Sequence, residues 1–289
     1  MAKNPNTRPA EPEASNLPVA TASGVPDYLA GMNQGSQLAG VDQSDVALPS
    51  VRLLQAVSEA VSTFDEANPG IFWHTGFDMP LGKSVDFIIC ANRKKYMLMA
   101  PMTDSRGVLA RAEDGVHWQP SEGSFEVKLK NVKKPVVWTL RPTVEESGLA
   151  QYGTFNPEDP DSPPAAVLMY EHLVIMPDFP NLGPTFFTFA RSQIKKVRRE
   201  LYPKIMLHGN AGRPMQALRF RAEAVEEQGA EGSFFNVKFT SAGWATEAEF
   251  KQAVDLQKRF GDLKARDEAD IAGESATTGA GAPKGTGEY

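Results

Sequence analysis

Apolar and polar positions alternate with period two over much of the middle of the chain. That spacing puts one face of a β-strand on a core and the other in water. SFEVKLKNV (124–132) sets Phe125, Val127 and Leu129 against Glu126, Lys128 and Lys130. QALRFRAEAV (216–225) sets Leu218, Phe220 and Ala222 against Arg219, Arg221 and Glu223, which places the two arginines side by side on the solvent face. VDFIICA (85–91), KYMLMA (95–100), PVVWTL (135–140), AAVLMYEHLVIMP (165–177), TFFTFA (185–190) and SFFNVKFTSAG (233–243) read as further strands. The polar triplet Asn92-Arg93-Lys94 between the first two of these predicts a hairpin turn.

Helical spacing is rarer. Leu53, Leu54, Val57 and Val61 share one face if 48–61 is a helix. Residues 190–201 form a second, with Ile194, Val197 and Leu201 as its packing stripe. The third runs from Glu247 to Phe260: Thr246 with Glu249 makes a capping box, and Phe250, Ala253, Val254, Gln257 and Phe260 form the inward stripe. Many strands and few helices predict a mainly β, antiparallel, α+β fold. It is either an OB-like barrel or an elaborated β domain, with a few peripheral α-helices. The long loop 147–165, rich in Pro, Asp and Asn, is of a length usually functional or mobile.

Composition bounds this domain. Residues 1–45 and 263–289 hold few large apolar groups, too few to offset the cost of ordering their backbone. Two disordered tails are expected around one β-rich domain at 46–262, with its last helix at about 247–260. No apolar run approaches the ~20 residues of a membrane helix, and MAKNPNTRPAEPEAS has no apolar secretion segment. A soluble protein of the host cell cytoplasm is expected. Cys90, the single cysteine, lies in an apolar run and reads as a buried, inert thiol.

Motifs for chemistry are missing. His74, His117, His172 and His208 are not spaced as metal ligands, and His172 reads as a packed strand histidine. There is no G-x-S-x-G elbow, and HGNAGRP (208–214) lacks the lysine and hydroxyl of a phosphate loop. The acids fall in turns or in the long loop, without the spaced set a metal-dependent nuclease needs. No catalytic residue, cofactor or metal is expected.

Charge changes the picture. The chain has a formal net charge of -6, yet residues 186–223 hold Arg191, Lys195, Lys196, Arg198, Arg199, Lys204, Arg213, Arg219 and Arg221 against only Glu200 and Glu223. On a helical wheel Arg191, Lys195, Arg198 and Arg199 fall on one face, away from the apolar stripe. Such a face suits a polyanion, and its contacts with phosphates add affinity without sequence preference. A solvated face paired with acids such as those of EAVEEQGAE (223–231) is the plain alternative. Arg93, Lys94 and Lys95 beside Tyr96 make a second basic cluster, and Lys128, Lys130, Lys133 and Lys134 near Trp138 a third. Tyr96 and Trp118 flank polar turns and are the candidate rings for base stacking.

DVALPSVRLLQAVSEAV (45–61), GIFWHTG (70–76), GVLARAEDGVHW (107–118), ESGLAQYGTFNPEDPDSPPAA (146–166) and ARSQIKKVRREL (190–201) resemble a family of phage-encoded proteins found among replication and recombination genes. The resemblance covers most of residues 45–260 and implies a single-stranded-DNA-binding protein of the OB-fold type. The C-terminal stretch, with Asp267, Glu268, Asp270, Glu274 and Glu288 and the final Tyr289, resembles the tails through which such proteins recruit replication or recombination partners. The expected function is therefore sequence-independent single-stranded DNA binding, in a protein able to form homo-oligomers. A virion or assembly protein is the alternative, and a Mg-dependent recombination nuclease the weaker one.

Overall fold

The computed structural model describes residues 48–260, apart from 102, 103, 131, 133, 230 and 231. Both expected tails, with Tyr289, lie outside the described residues, as does Lys133. The elements are β1 (Ser50–Leu53), α1 (Glu59–Thr63), β2 (Phe72–His74), β3 (Met79–Gly82), β4 (Ser84–Met99), β5 (Val108–Ala112), β6 (Gly123–Val127), β7 (Val136–Leu140), α2 (Val144–Ser147), β8 (Ala166–Ile175), β9 (Thr185–Ala190), α3 (Ser192–Lys196), a π-helical stretch (Val197–Leu201), α4 (Tyr202–Asn210), β10 (Leu218–Gly229), β11 (Gly232–Trp244) and α5 (Glu247–Phe260).

Nine strands make one curled sheet, a half-barrel, in the order β11-β10-β4-β8-β9-β1-β2-β3, with β5 also paired to β4. β6 and β7 form a separate hairpin. The fold is mainly β with few helices, as expected. It takes the form of an elaborated β domain, and its sheet is mixed: β1 pairs with β9 in parallel.

Two local expectations fail. Asn92-Arg93-Lys94 does not turn. Residues 84–99 form one strand, and the triplet pairs with His172, Glu171 and Tyr170 of β8. The strand deforms instead at a bulge between Ile89 and Ala91, which leaves Cys90 unpaired in the register. Nor is 48–61 a helix. Ser50 and Val51 pair with Phe186 and Phe187, and Val51 to Leu53 pair with β2, so two strand partners override the helical spacing. Only Glu59–Thr63 is helical.

The main core lies inside the curl. Val85, Phe87 and Ile89 of β4 meet Phe187 and Phe189 of β9, Phe220 of β10, Phe239 of β11 and Phe72 of β2. Phe87 sits 5.3 Å from Phe187 at 73° and 6.3 Å from Phe239 at 70°, edge-to-face geometries that favour aromatic pairs. Val197 and Leu201 plug the concavity from above, helped by Tyr202 and Ile205. On the other face of the sheet, Ile88, Cys90, Leu173, Ile175 and Phe186 take Ala253 and Leu256 of α5. The capping box of α5 forms, with Thr246 N–H donating to Glu249 Oε2 at 2.8 Å. Its stripe differs from the expected one: Leu256 is buried, and Gln257 is exposed and accepts from Gln216 Nε2 at 2.9 Å. Burial pushes the Cys90 thiol up to about 12, as an inert thiol requires.

The free edge of β11 is sealed by side chains. Gln55 donates to Phe235 O (2.8 Å) and accepts from Phe235 N–H (2.9 Å). Glu200 accepts from Phe239 N–H at 3.0 Å, and Lys204 donates to Phe239 O at 3.2 Å. These bonds satisfy main-chain groups that would otherwise template another strand. Gly70, at φ 82°, touches the same edge: a Cβ there would lie 2.5 Å from the Phe235 ring.

A smaller core gathers Trp118, Trp138, Leu140, Val144 and Leu98. The loop 147–165 belongs to it. Trp138 Nε1 donates to Thr154 O at 3.1 Å, the Thr154 hydroxyl donates to Leu149 O at 2.9 Å, and Ala165 N–H donates back to Thr154 at 3.0 Å. These bonds tie the loop to the hairpin.

His172 is fully buried between Phe189 and Tyr202, and burial holds its pKa down to about 4. A depressed base is neutral when folded and takes a proton on unfolding near its ordinary 6.5. Its contribution is present above pH 6.5 and lost as pH falls toward 4, by up to about 3 kcal/mol. Urea unfolding from pH 7 to pH 4 should therefore show a loss of stability that shrinks by that amount in His172→Phe.

Candidate nucleic-acid interface

The basic segment folds as one helical run from Ser192 to Asn210, interrupted by the π stretch. Pro203 accounts for the interruption. It has no N–H to donate, and just before it Tyr202 N–H reaches back five residues to Val197 O. The stripe holds across the widened turn, with Ile194, Val197 and Leu201 buried. Arg191, Lys195, Arg198 and Arg199 are exposed, as the wheel predicts. Among the described residues no acid pairs with these four. Arg198 donates to the Tyr170 hydroxyl at 3.0 Å and lies over that ring. Lys196, one step round the helix, is the cation that finds the EAVEEQGAE segment, at 2.6 Å from Glu227.

Arg191 stands at the head of the helix with φ 53° and ψ -120°, a backbone region that side chains with a Cβ avoid. Such strain costs about 1–3 kcal/mol and persists where the surroundings impose it.

Arg219, Arg221, Arg93 and Lys95, among the other expected cations, are committed elsewhere. Arg219 and Arg221 do share a face of β10. Arg221, however, forks onto Asp86 directly across on β4, at 2.6 and 3.0 Å, and Arg219 reaches Glu249 of α5 at 2.7 Å. The hydrogen bond and charge of Asp86 raise the Arg221 pKa, which marks a held ion pair.

The 93–96 cluster divides between the two faces of β4, because successive strand side chains point opposite ways. Lys95 is buried, 2.5 Å from Glu171 Oε1. Arg93 binds Glu171 Oε2 at 2.5 Å and Glu113 at 3.3 Å, and lies over Phe186. Lys94 and the half-buried Tyr96 take the opposite face, with the ammonium 4.9 Å from the ring centroid. Trp118 is no stacking platform. It is 1% exposed in the smaller core, and its Nε1 donates to Ser147.

Sequence reasoning missed two rings. Trp244, at the end of β11, is 54% exposed, with Arg213 at 5.2 Å over its face and His208 at 5.3 Å edge-on. Phe234, half-buried near the far end of the β10–β11 ribbon, faces a cavity beside the basic helix. Apolar alternation marks Phe234 as a strand residue, and the strand read at 233–243 stops one short of Trp244; neither signal says that the ends of this ribbon outrun the core. Among the described residues, no group of three His, Cys, Asp or Glu stands close enough to hold a metal ion, and no helix is long and apolar enough to cross a membrane.

A family profile described as Pam3 phage gp34-like protein matches residues 19–266. The chain belongs to that phage family. The description names a phage product and states no activity, so the gp34-like match fixes kinship and leaves function to the geometry. No curated protein and no solved structure matches this gp34-like chain.

Two variants test the charge assignments. Glu171→Ala leaves the Lys95 ammonium buried without its carboxylate and should cost about 3–5 kcal/mol in chemical denaturation. Glu247→Ala, at an exposed pair with Lys251, should cost no more than about 0.5 kcal/mol. Arg191→Gly removes the backbone strain and should raise stability by about 1 kcal/mol in the same assay.

Proposed function

We propose that this gp34-like protein binds single-stranded DNA without sequence preference, through the exposed face of the helix that starts at Ser192. One observation carries the reading: Arg191, Lys195, Arg198 and Arg199 share that face with no acidic partner among the described residues, while Lys196, Arg219 and Arg221 are neutralised by Glu227, Glu249 and Asp86. Leaving four like charges together costs folding energy, and a bound polyanion offsets that cost. Their long side chains suit phosphate contacts, which position a strand and release counterions but read no bases. Strain held at Arg191, the first of the four, fits a residue kept for binding. A role in phage replication or recombination follows for a protein that coats single strands.

A second reading has its own observation. Met206 (66% exposed) and Leu207 (70%) stand near the end of the helical run, and the exposed Trp244 lies against His208, the next residue; exposed apolar side chains of this kind are what subunits cover in an assembly protein. Light scattering without DNA separates the two: large oligomers favour assembly.

Fluorescence titration of a labelled oligo-dT strand is the direct test. Four phosphate contacts predict a slope of about -3 in log affinity against log salt for a single strand. Weaker binding to duplex at matched salt is expected because only unpaired bases can stack on protein rings. Replacing all four cations with Glu should abolish binding. Full affinity in that variant would sink the reading.

A further inference from the structure

A cavity of about 390 Å³ opens where the basic helix meets the β10–β11 ribbon. Ser192, Lys195, Lys196 and Arg199 line it from the helix, and Phe234 and Asn236 from β11. Its volume falls within the range that seats a small ligand.

The acids in this cavity are already engaged. Glu227 takes Lys196 at 2.6 Å on one oxygen and Asn236 Nδ2 at 2.7 Å on the other. Glu200 is held by Phe239 N–H at 3.0 Å. Asn236 Oδ1 in turn accepts from Val237 N–H at 2.9 Å. The amide and the carboxylates of the wall are thus paired. What remains for a ligand is the exposed pair Lys195 and Arg199, with no acid partner among the described residues, the Ser192 hydroxyl and the ring of Phe234. Phe234 is held in place by the ribbon. It stands opposite Glu227 in the ladder, and a Cβ on Gly229 would lie 3.3 Å from its ring edge.

An anion-binding rim beside an aromatic wall asks for a ligand with a phosphate at one end and a flat ring at the other. We propose that this cavity seats one nucleotide unit of the bound strand, its phosphate between Lys195 and Arg199 and its base against the Phe234 ring. The inference rests on the single-strand reading above and adds to it a defined seat. The wall's amide and carboxylates are already paired, so they read no base edge. The seat therefore takes any base by shape and stacking, which is how single strands are held without sequence preference.

The test uses the full chain and labelled oligo-dT. Phe234→Ala should weaken binding about 5- to 150-fold, the loss of one base stack, with the salt slope unchanged because no phosphate contact goes. Lys195→Gln should instead lower the slope by about 0.7. Phe234→Tyr keeps a ring at the site and should bind as the wild type does, which controls for misfolding. Thymidine monophosphate should displace the oligonucleotide at lower concentration than inorganic phosphate at equal ionic strength. Wild-type affinity in Phe234→Ala, or equal competition by the two anions, overturns the seat. If the fourfold Glu variant still fails to bind in that case, the basic face stands without it; if that variant binds fully, the single-strand reading falls too.

Discussion

One strand carries the architecture. β4 pairs with β8 from Ile88 to Leu98 and, on its other edge, with β10 near its start and β5 near its end. Its side chains enter three separate cores: Val85, Phe87 and Ile89 inside the curl, Ile88 and Cys90 under α5, Leu98 in the smaller tryptophan-rich cluster. Sixteen residues of continuous strand are long enough to span these cores, and the bulge at Cys90 lets the strand bend as the sheet curls. The curl brings β11 back toward β1, where Gln55, Glu200 and Lys204 close the gap that strand pairing leaves open.

Closure also determines which charges stay available. On a sheet, each outward residue has cross-strand neighbours about 5 Å away, so an arginine on β10 meets the acid that the next strand or the covering helix presents. Arg221 and Asp86 meet in this way. A helix lying across the mouth of a half-barrel has neighbours only beneath it. Its outer cations face solvent, and among the described residues only Lys196, turned toward the ribbon, is paired with a ribbon acid. The acidic background of the chain therefore quenches the basic strand and spares the basic helix. The cavity beside Phe234 lies on the boundary between these two regimes, with paired charges in its wall and, at its rim, cations that have no acid partner among the described residues.

The helical stripe of Ile194, Val197 and Leu201 was legible because periodicity reports burial directly, and the exposed cations followed from the same wheel. The capping box of α5 was legible because a cap is a local exchange of hydrogen bonds. The segment 48–61 misled because a short apolar run fits either period, and the partners that decide it, Phe186 and Phe187, lie about 135 residues away. Asn92-Arg93-Lys94 misled for a related reason. Polar residues mark a turn only where the backbone needs water, and here β8 supplies the hydrogen bonds while Glu171 takes the charges of Arg93 and Lys95.

By itself the sequence determined which stretches are apolar enough to become strands, which helix would present cations outward, and that the fold would be β-rich. Each of these depends on spacing along a few neighbouring residues. Only the tertiary structure decided which of the cations remain free. That depends on whether an acid from a distant strand arrives within about 4 Å, and no local pattern contains that distance. The same holds for the rings. Trp118 and Trp244 look alike in sequence, but one fills a core and the other faces water, because Trp244 is the last residue of β11 and its side chain lies beyond the core.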